Sequence, residues 1–157
     1  MNIFAIEKSD DGSIDWVKSA KSQDNYRVVK MVLESCQILC TNLNLLHGEK
    51  IAPYRSCHIN HPSTKWARES SSNFEMLIEH TMALLEEYSD RFGKVHKCER
   101  TLEHIIDLYD ESLFNNTNPT PLPLCMPDEF KGNDTVESYR RFYASKPNIR
   151  YPKDKIP

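Results

Sequence analysis

The sequence predicts an all-α protein, a compact single-domain helical bundle with long Pro-rich loops. In several long segments apolar residues recur at the three- and four-residue spacing of a buried helix face. The four glycines lie in turns or loops or directly after such segments, and prolines cluster between the segments. The 157 residues suffice for one domain whose core is stable without disulfides or metals. We expect a helical domain over residues 1–146 and a Pro-rich, basic tail over residues 147–157.

Composition narrows the class of protein further. A hydrophobic content of 39% and a charged content of 27% are typical of a globular chain. The apolar runs are too short to span a bilayer, and the N-terminus lacks the basic start and cleavage site of a signal peptide. Five cysteines without a CxxC pair favour reduced thiols in the cytoplasm. We therefore expect no membrane association, no metal and no cofactor.

The N-terminal half should contain one short and one long helix. The opening Ile3-Phe-Ala-Ile6 is either a short strand or a buried, extended lead-in. Ser13 is a candidate N-cap for a short helix through Trp16 and Val17. A long helix should follow over about residues 25–46. Its apolar stripe consists of Val28, Val32, Cys36, Leu39, Leu43 and Leu46.

The remaining helices follow from proline, serine and glycine positions. Pro62 can begin a short helix that carries Trp66. A second long helix should begin with Ser71 or Ser72 as its cap and end before Gly93. Further helices are predicted over about residues 98–113 and 134–144. The residues expected to face inward from the first two of these three helices are Phe74, Leu77, Thr81, Leu84, Tyr88, Leu102, Ile105, Ile106 and Tyr109. The last helix carries Tyr139, Phe142 and Tyr143.

Charge is segregated along the chain although the net charge is only −3. Residues 25–70 carry six Lys/Arg and three acids, and residues 139–157 carry six Lys/Arg and one acid. Residues 71–90 carry five acids and no Lys/Arg. A protein with such segregated charge can present a basic face despite its negative net charge. A phosphate backbone responds to this local positive potential rather than to the net charge. The other interpretation of the basic C-terminus is a solvated end.

Arg27, Lys30 and Glu34 should share one face of the long helix, since they are three, four and seven residues apart. Such a triplet is typical of a solvated surface with a weak ion pair, worth about 0.3–0.5 kcal/mol. The functional interpretation makes Glu34 a general acid/base beside cations that bind phosphate.

A second candidate region runs from His58 to Ser70. His58 and His61 can be phosphate or base contacts, structural histidines or metal ligands, but no second ligand pair stands at zinc-like spacing. Trp66 is a core residue or a stacking platform, and Arg68 binds phosphate or an acid of a neighbouring helix.

A third region, residues 139–143, interleaves Arg140 and Arg141 with aromatic side chains, as single-strand binding requires. The same aromatic residues can instead dock the last helix.

Five segments together resemble a family of small phage-encoded proteins. They are residues 28–34 (Val-Val-Lys-Met-Val-Leu-Glu), 60–70 (Asn-His-Pro to Trp-Ala-Arg-Glu-Ser), 87–96, 126–131 and 136–140. That family is distantly similar to the pyrimidine-dimer DNA glycosylases of the phage endonuclease V type. This second similarity involves Glu34, the histidine block, the segment Pro127–Gly132 and the cluster Tyr139–Lys146.

The resemblance implies a DNA repair N-glycosylase with an accompanying strand-nicking (AP lyase) activity on pyrimidine-dimer or otherwise damaged double-stranded DNA. Enzymes of that type attack the sugar with the N-terminal α-amine, an amine class whose pKa of about 7.7–8 leaves a useful neutral fraction. The catalytic residues would then be Met1 and Glu34. Because Asn2 should prevent removal of the initiator, the amine is that of Met1 itself.

The same resemblance assigns DNA contacts and a location. The DNA-binding residues would be Arg27, Lys30, His61, Trp66, Arg68, Arg140 and Arg141. The protein would act in the host cytoplasm. Two other functions stay open: a non-catalytic helical protein that binds a host or phage protein, and a nucleotide or phosphodiester hydrolase that uses His58 and His61.

Overall fold

Six α-helices build the protein in a computed structural model that describes residues 1–155. Short 3-10 turns lie at Glu111–Leu113, Asp128–Phe130 and Lys153–Lys155. Within the described residues the one β contact is an isolated bridge between Lys8 and Ile14. The prediction of an all-α fold is therefore confirmed. The helices are α1 (Trp16–Lys21), α2 (Asn25–His47), α3 (Pro62–Glu69), α4 (Ser71–Phe92), α5 (Glu99–Leu108) and α6 (Thr135–Ala144).

The first residues form a buried lead-in rather than a strand, and Ala5 N donates to Ile3 O in a tight turn within it. Residues 3–6 are at most 7% exposed, and the backbone N–H groups of Ile6 and Glu7 both donate to Ser19 Oγ on α1. The N-cap of α1 is Asp15, whose carboxylate accepts from Lys18 N at 2.8 Å, so the prediction of Ser13 as the cap is wrong. Ser13 instead donates its hydroxyl to Asp11 within the preceding turn.

Helix α2 is the central element of the core and has nearly the predicted bounds. Five members of the predicted stripe are fully buried, and Leu46 is half-buried near the end. Val29 and Leu33, on the flank of the stripe, remain about 40% exposed. The helix ends at Gly48, whose φ of 75° is the left-handed conformation that glycine adopts without strain.

Helices α3 and α4 follow with a single residue between them. Pro62 is the first residue of α3, as predicted, and His61 is its N-cap. The N-cap of α4 is Ser70, one residue before the predicted candidates, and Gly93 ends this helix as expected. All five residues predicted to be buried by α4 are buried. Helix α4 packs against α1, α2, α3 and α5, so it completes the core around α2.

Helix α5 is shorter than predicted, because it ends at Leu108 and the chain resumes as a 3-10 turn at Glu111–Leu113. The carboxylate of Asp110 caps that turn by accepting from Ser112 N. Ile106 was expected inside, but it is 41% exposed and lines an open groove beside α4.

The C-terminal part is attached to the bundle by its aromatic residues. Asp134 caps α6, and the Tyr139 hydroxyl donates to Pro123 O at 2.6 Å. Residues 147–155 belong to the predicted Pro-rich tail, and this part of it contacts the bundle: Ile149 packs against the core and Arg150 O accepts from Asn25 N. Residues 156–157 of the predicted tail lie outside the described residues. None of the described helices combines the length and apolarity that a membrane crossing requires.

Candidate functional site

The fold brings the N-terminal amine to Glu34. The Met1 nitrogen lies 3.4 Å from Glu34 Oε1, and the Glu34 side chain is only 15% exposed. This is an ion-pair distance, slightly longer than a good hydrogen bond. The buried lead-in fixes the start of the chain against α2, so the two groups meet although 33 positions separate them in sequence.

Cations surround this pair in a small cleft of about 100 Å³. Lys30 Nζ lies 3.6 Å from Glu34 Oε2, one helical turn earlier on α2. Partial burial lowers the pKa of Lys146, and the positive charges of Arg27 and Lys30 lower it further. Three cationic side chains therefore share the cleft with one carboxylate, an excess of positive charge that suits an anionic ligand. The cleft is lined by Met1, Asn2, Phe4, Tyr26, Arg27, Lys30, Met31, Glu34 and Lys146.

Two buried oxygens at this cleft accept no hydrogen bond from the described protein groups. They are Glu34 Oε2 and Asn2 Oδ1. A buried acceptor without a partner costs about 1–3 kcal/mol, so such atoms are few in folded proteins. Both oxygens lie in the cleft that also contains the Met1 amine, so each can accept a hydrogen bond from a ligand hydroxyl or amine that enters it.

Arg27 is held in a fixed orientation at the edge of the cleft. Its Nη1 lies 3.2 Å from both carboxylate oxygens of the buried Asp24. The Tyr143 hydroxyl donates to Asp24 Oδ1, and Asp24 N donates to the same hydroxyl at 2.7 Å. The Arg27 guanidinium also lies over the rings of Tyr26 and Tyr143. These contacts order a planar cation whose remaining N–H groups can bind a phosphate.

His61 lies near the cleft without lining it. Burial lowers the pKa of His61, the Met1 ammonium and His58 lower it further, and only Glu34 acts in the opposite direction. Its Nδ1 accepts from Ser63 N at 3.1 Å, which places the proton of the neutral ring on Nε2. In its neutral form the imidazole therefore presents an N–H donor at Nε2.

Trp66 is a core residue that does not line this cleft. It is 1% exposed, its Nε1 donates to Thr120 O, and its ring lies 5.6 Å from that of Trp16. The indole cannot reach a base beside Met1 from this position. Burial of a large aromatic ring is the commoner use of Trp on a short amphipathic helix.

The other predicted arginines are used as internal clamps. Arg68 donates to Asn42 Oδ1 and Ile59 O. Arg140 donates to Ile6 O and pairs with Glu7 and Glu137. Arg141 donates to Phe130 O and Ser138 Oγ. None of these three lines the Met1 cleft.

Most of the thiols lie together on the other side of α2. The Tyr54 hydroxyl lies 3.3 Å from Cys98 Sγ. The neighbouring Cys36 thiol lowers the pKa of Cys98 to about 6, although burial acts against it. The Cys98 thiol and burial raise the pKa of Cys36. Among the described residues, no group of three or more His, Cys, Asp or Glu side chains has the arrangement to hold a metal ion.

No sequence pattern indicated that several of these residues would lie at the cleft. Lys146 and Asn2 reach the cleft only because the chain ends pack beside α2. The partner of Arg27 is Asp24, three residues earlier, a spacing that the sequence does contain. The involvement of Tyr143 depends on the docking of α6.

No family model, curated protein or solved structure matches this chain.

Proposed function

We propose that the protein is a DNA repair N-glycosylase with accompanying AP lyase activity, and that the Met1 amine is its nucleophile. The observation that supports this proposal is the 3.4 Å approach of the Met1 nitrogen to Glu34 inside a cationic cleft. An amine beside a carboxylate is the arrangement that Schiff-base chemistry on a sugar aldehyde carbon uses. Damaged double-stranded DNA is the proposed substrate because the cleft gathers the groups that bind phosphate.

The chemistry assigns one role to each group. After the Met1 ammonium gives a proton to Glu34, the neutral nitrogen attacks C1′ of the damaged nucleotide. The N-glycosidic bond breaks, and Glu34 returns the proton to the departing base. The sugar ring opens to a protonated imine on Met1. Loss of a proton from C2′ then breaks the C3′–O bond and expels the 3′-phosphate. Water hydrolyses the imine and releases the unsaturated sugar aldehyde from the amine. Glu34 carries protons in these steps.

Arg27, Lys30 and Lys146 are the proposed phosphate contacts, since all three line the cleft. His61 would donate from Nε2 to the leaving base or a phosphate oxygen. Arg68, Arg140 and Arg141 would add to the positive potential of the surface while keeping their structural contacts. A duplex substrate must extrude the damaged nucleotide, because the Met1 nitrogen cannot reach C1′ while the base is stacked in the duplex.

The test is covalent trapping on duplex oligonucleotides that carry an abasic site or a UV-induced dimer. Borohydride should reduce the imine and leave a protein–DNA adduct that maps to the peptide beginning at Met1. A two-residue extension before Met1 should abolish the adduct, because it removes the amine from Glu34. Glu34→Gln should slow cleavage by roughly 100-fold or more while it leaves DNA binding within a few-fold. The matched control is Glu49→Gln, an exposed acid just beyond α2, which should leave cleavage unchanged.

Three outcomes would contradict the proposal. An adduct that persists with the extended N-terminus would place the nucleophile on a lysine. The absence of any adduct, together with no salt-sensitive DNA affinity, would favour the non-catalytic binding protein. Activity that disappears with a chelator would favour the hydrolase based on His58 and His61.

A further inference from the structure

An open groove runs between α4 and α5, away from the residues of the Met1 cleft. Its volume is about 420 Å³. Leu85 on α4 and the buried Leu102 on α5 form its floor. Met82, 52% exposed, and Ile106, 41% exposed, add apolar surface along it. Two neighbouring helices thus present apolar side chains that nothing in the described chain covers.

Four carboxylates border this apolar strip. Glu86 and Asp90 lie on α4, and Glu99 and Glu103 lie on α5. Among the described lining residues there is no Lys or Arg. The nearest α4 cation, Arg91, is buried in an ion pair with Glu87. The groove is therefore apolar along its floor and negative along both walls.

The spacing of these acids is unfavourable for the isolated helices. Each wall holds two carboxylates four residues apart, and like charges at that spacing destabilise a helix. Lys21 relieves Glu86, at 3.3 Å, and the first-turn position of Glu99 is favourable for an acid. Within the described residues, Asp90 and Glu103 have no ion-pair partner. The repulsion between the carboxylates on each helix therefore persists in the folded protein. A cationic partner that binds in the groove would remove it.

We propose that this groove docks an amphipathic helix of a partner protein, with an apolar stripe on the groove floor and Lys or Arg residues against the two acidic walls. The apolar strip has the form of a helix-binding groove, and the unbranched Met82 side chain adapts to different partners. The acidic walls repel a phosphate backbone, so nucleic acid is not the occupant. The inference is independent of the chemistry at Met1.

The experiment uses a defined probe and the full-length protein. The probe is a synthetic amphipathic peptide of about 18 residues with a leucine stripe at helical spacing and lysines on both flanks. Its binding is measured by calorimetry at physiological salt. A second peptide has the same stripe with glutamates in place of the lysines. We expect only the lysine peptide to bind.

Two sets of variants locate the binding. Asp90→Lys with Glu103→Lys should weaken binding at least tenfold, and Met82→Ser should weaken it without any change in charge. The matched control is Glu49→Lys with Glu129→Lys, which makes the same charge change at two exposed acids outside the groove. This control should bind the lysine peptide with an affinity within about twofold of the original protein, because charges far from the groove contribute little to binding.

The competing results are equally definite. Equal weakening in the control variant would show unspecific attraction to an acidic protein and would overturn the proposal. Equal binding of the glutamate peptide would do the same. A dimer in sedimentation velocity that Met82→Ser dissociates would make a second copy of this chain the occupant. Circular dichroism of each variant separates a lost contact from a lost fold.

Discussion

Glu34 receives two positive groups that reach it by different routes. Lys30 lies one turn away on the same helix, so its contact with Glu34 follows from sequence spacing. The Met1 amine arrives from the other end of the lead-in, and only the packing of residues 3–6 places it there. From the local sequence pattern, Glu34 would be an ordinary surface acid. In the folded protein, the same carboxylate is paired with the N-terminal amine.

Unlike Glu34, which lines a cleft, His80 is a titratable side chain enclosed by the core. It is 1% exposed, its Nδ1 lies 2.8 Å from Trp16 O, and its Nε2 faces the Gln23 amide. Burial lowers the pKa of His80 to about 4, and the hydrogen bond to Trp16 only partly opposes that change. The ring is neutral in the folded protein, with its proton on Nδ1.

This burial predicts a pH dependence of stability. In the unfolded chain His80 binds a proton near pH 6.5, whereas the folded protein resists protonation down to about pH 4. The free energy of unfolding should therefore fall as the pH decreases through this window, by roughly 2–3 kcal/mol between about pH 7.5 and about pH 4.5. Urea titrations at the two pH values measure the loss.

The exposed His104 provides the comparison for that experiment. His80→Gln should remove most of the loss attributed to this side chain, and His104→Gln should leave it in place. Equal pH dependence in the original protein and in His80→Gln would show that other groups are responsible.

At the scale of the helix, the ends are set by particular capping contacts. Asp15, His61, Ser70 and Asp134 each accept a backbone N–H from the first turn of the helix that follows. The spacing of apolar residues predicted the helices themselves, but the observed caps Asp15 and Ser70 lie one or two residues from the predicted ones. A cap is chosen by backbone geometry, and neighbouring Ser and Asp residues compete for the position on nearly equal terms.

Ser70 offers the clearest test of a cap. It is fully buried, and its hydroxyl accepts from Asn73 N at 3.0 Å. Ser70→Ala should lower the free energy of unfolding by about 1 kcal/mol. For a chain of this length the thermal midpoint should fall by about 2–4 °C. Ser112→Ala is the control, because exposed Ser112 contributes only its backbone N–H to a turn, and its midpoint should not move.

For the molecule as a whole, the buried lead-in of residues 3–6 is part of the core, as the helices are. Phe4 is 3% exposed and lies edge-on to Tyr143, with ring centroids 5.1 Å apart, and it also packs near Phe142. Arg140 clamps the same segment by donating to Ile6 O. Helix α6 therefore holds the N-terminus against α2, and the position of Met1 depends on both ends of the chain.

Phe4→Ala should therefore destabilise the protein by about 3–5 kcal/mol, the cost of deleting a buried aromatic ring. Chemical denaturation measures the change. Phe92→Ala removes the same ring from a site that is 38% exposed, and it should cost at most about half as much. If the two variants lose equal stability, the lead-in is not part of the core.

The sequence by itself determined the helices, because the spacing of apolar residues and the turn chemistry of Gly, Pro and Ser are local properties of the chain. It also determined the shared face of Arg27, Lys30 and Glu34, since helical spacing places them together. Tertiary structure alone decided that Trp66 is a core residue, that Arg140 is a clamp and that Lys146 faces the cleft. It alone set the distance from Met1 to Glu34, because long-range packing brings together residues that no local pattern connects.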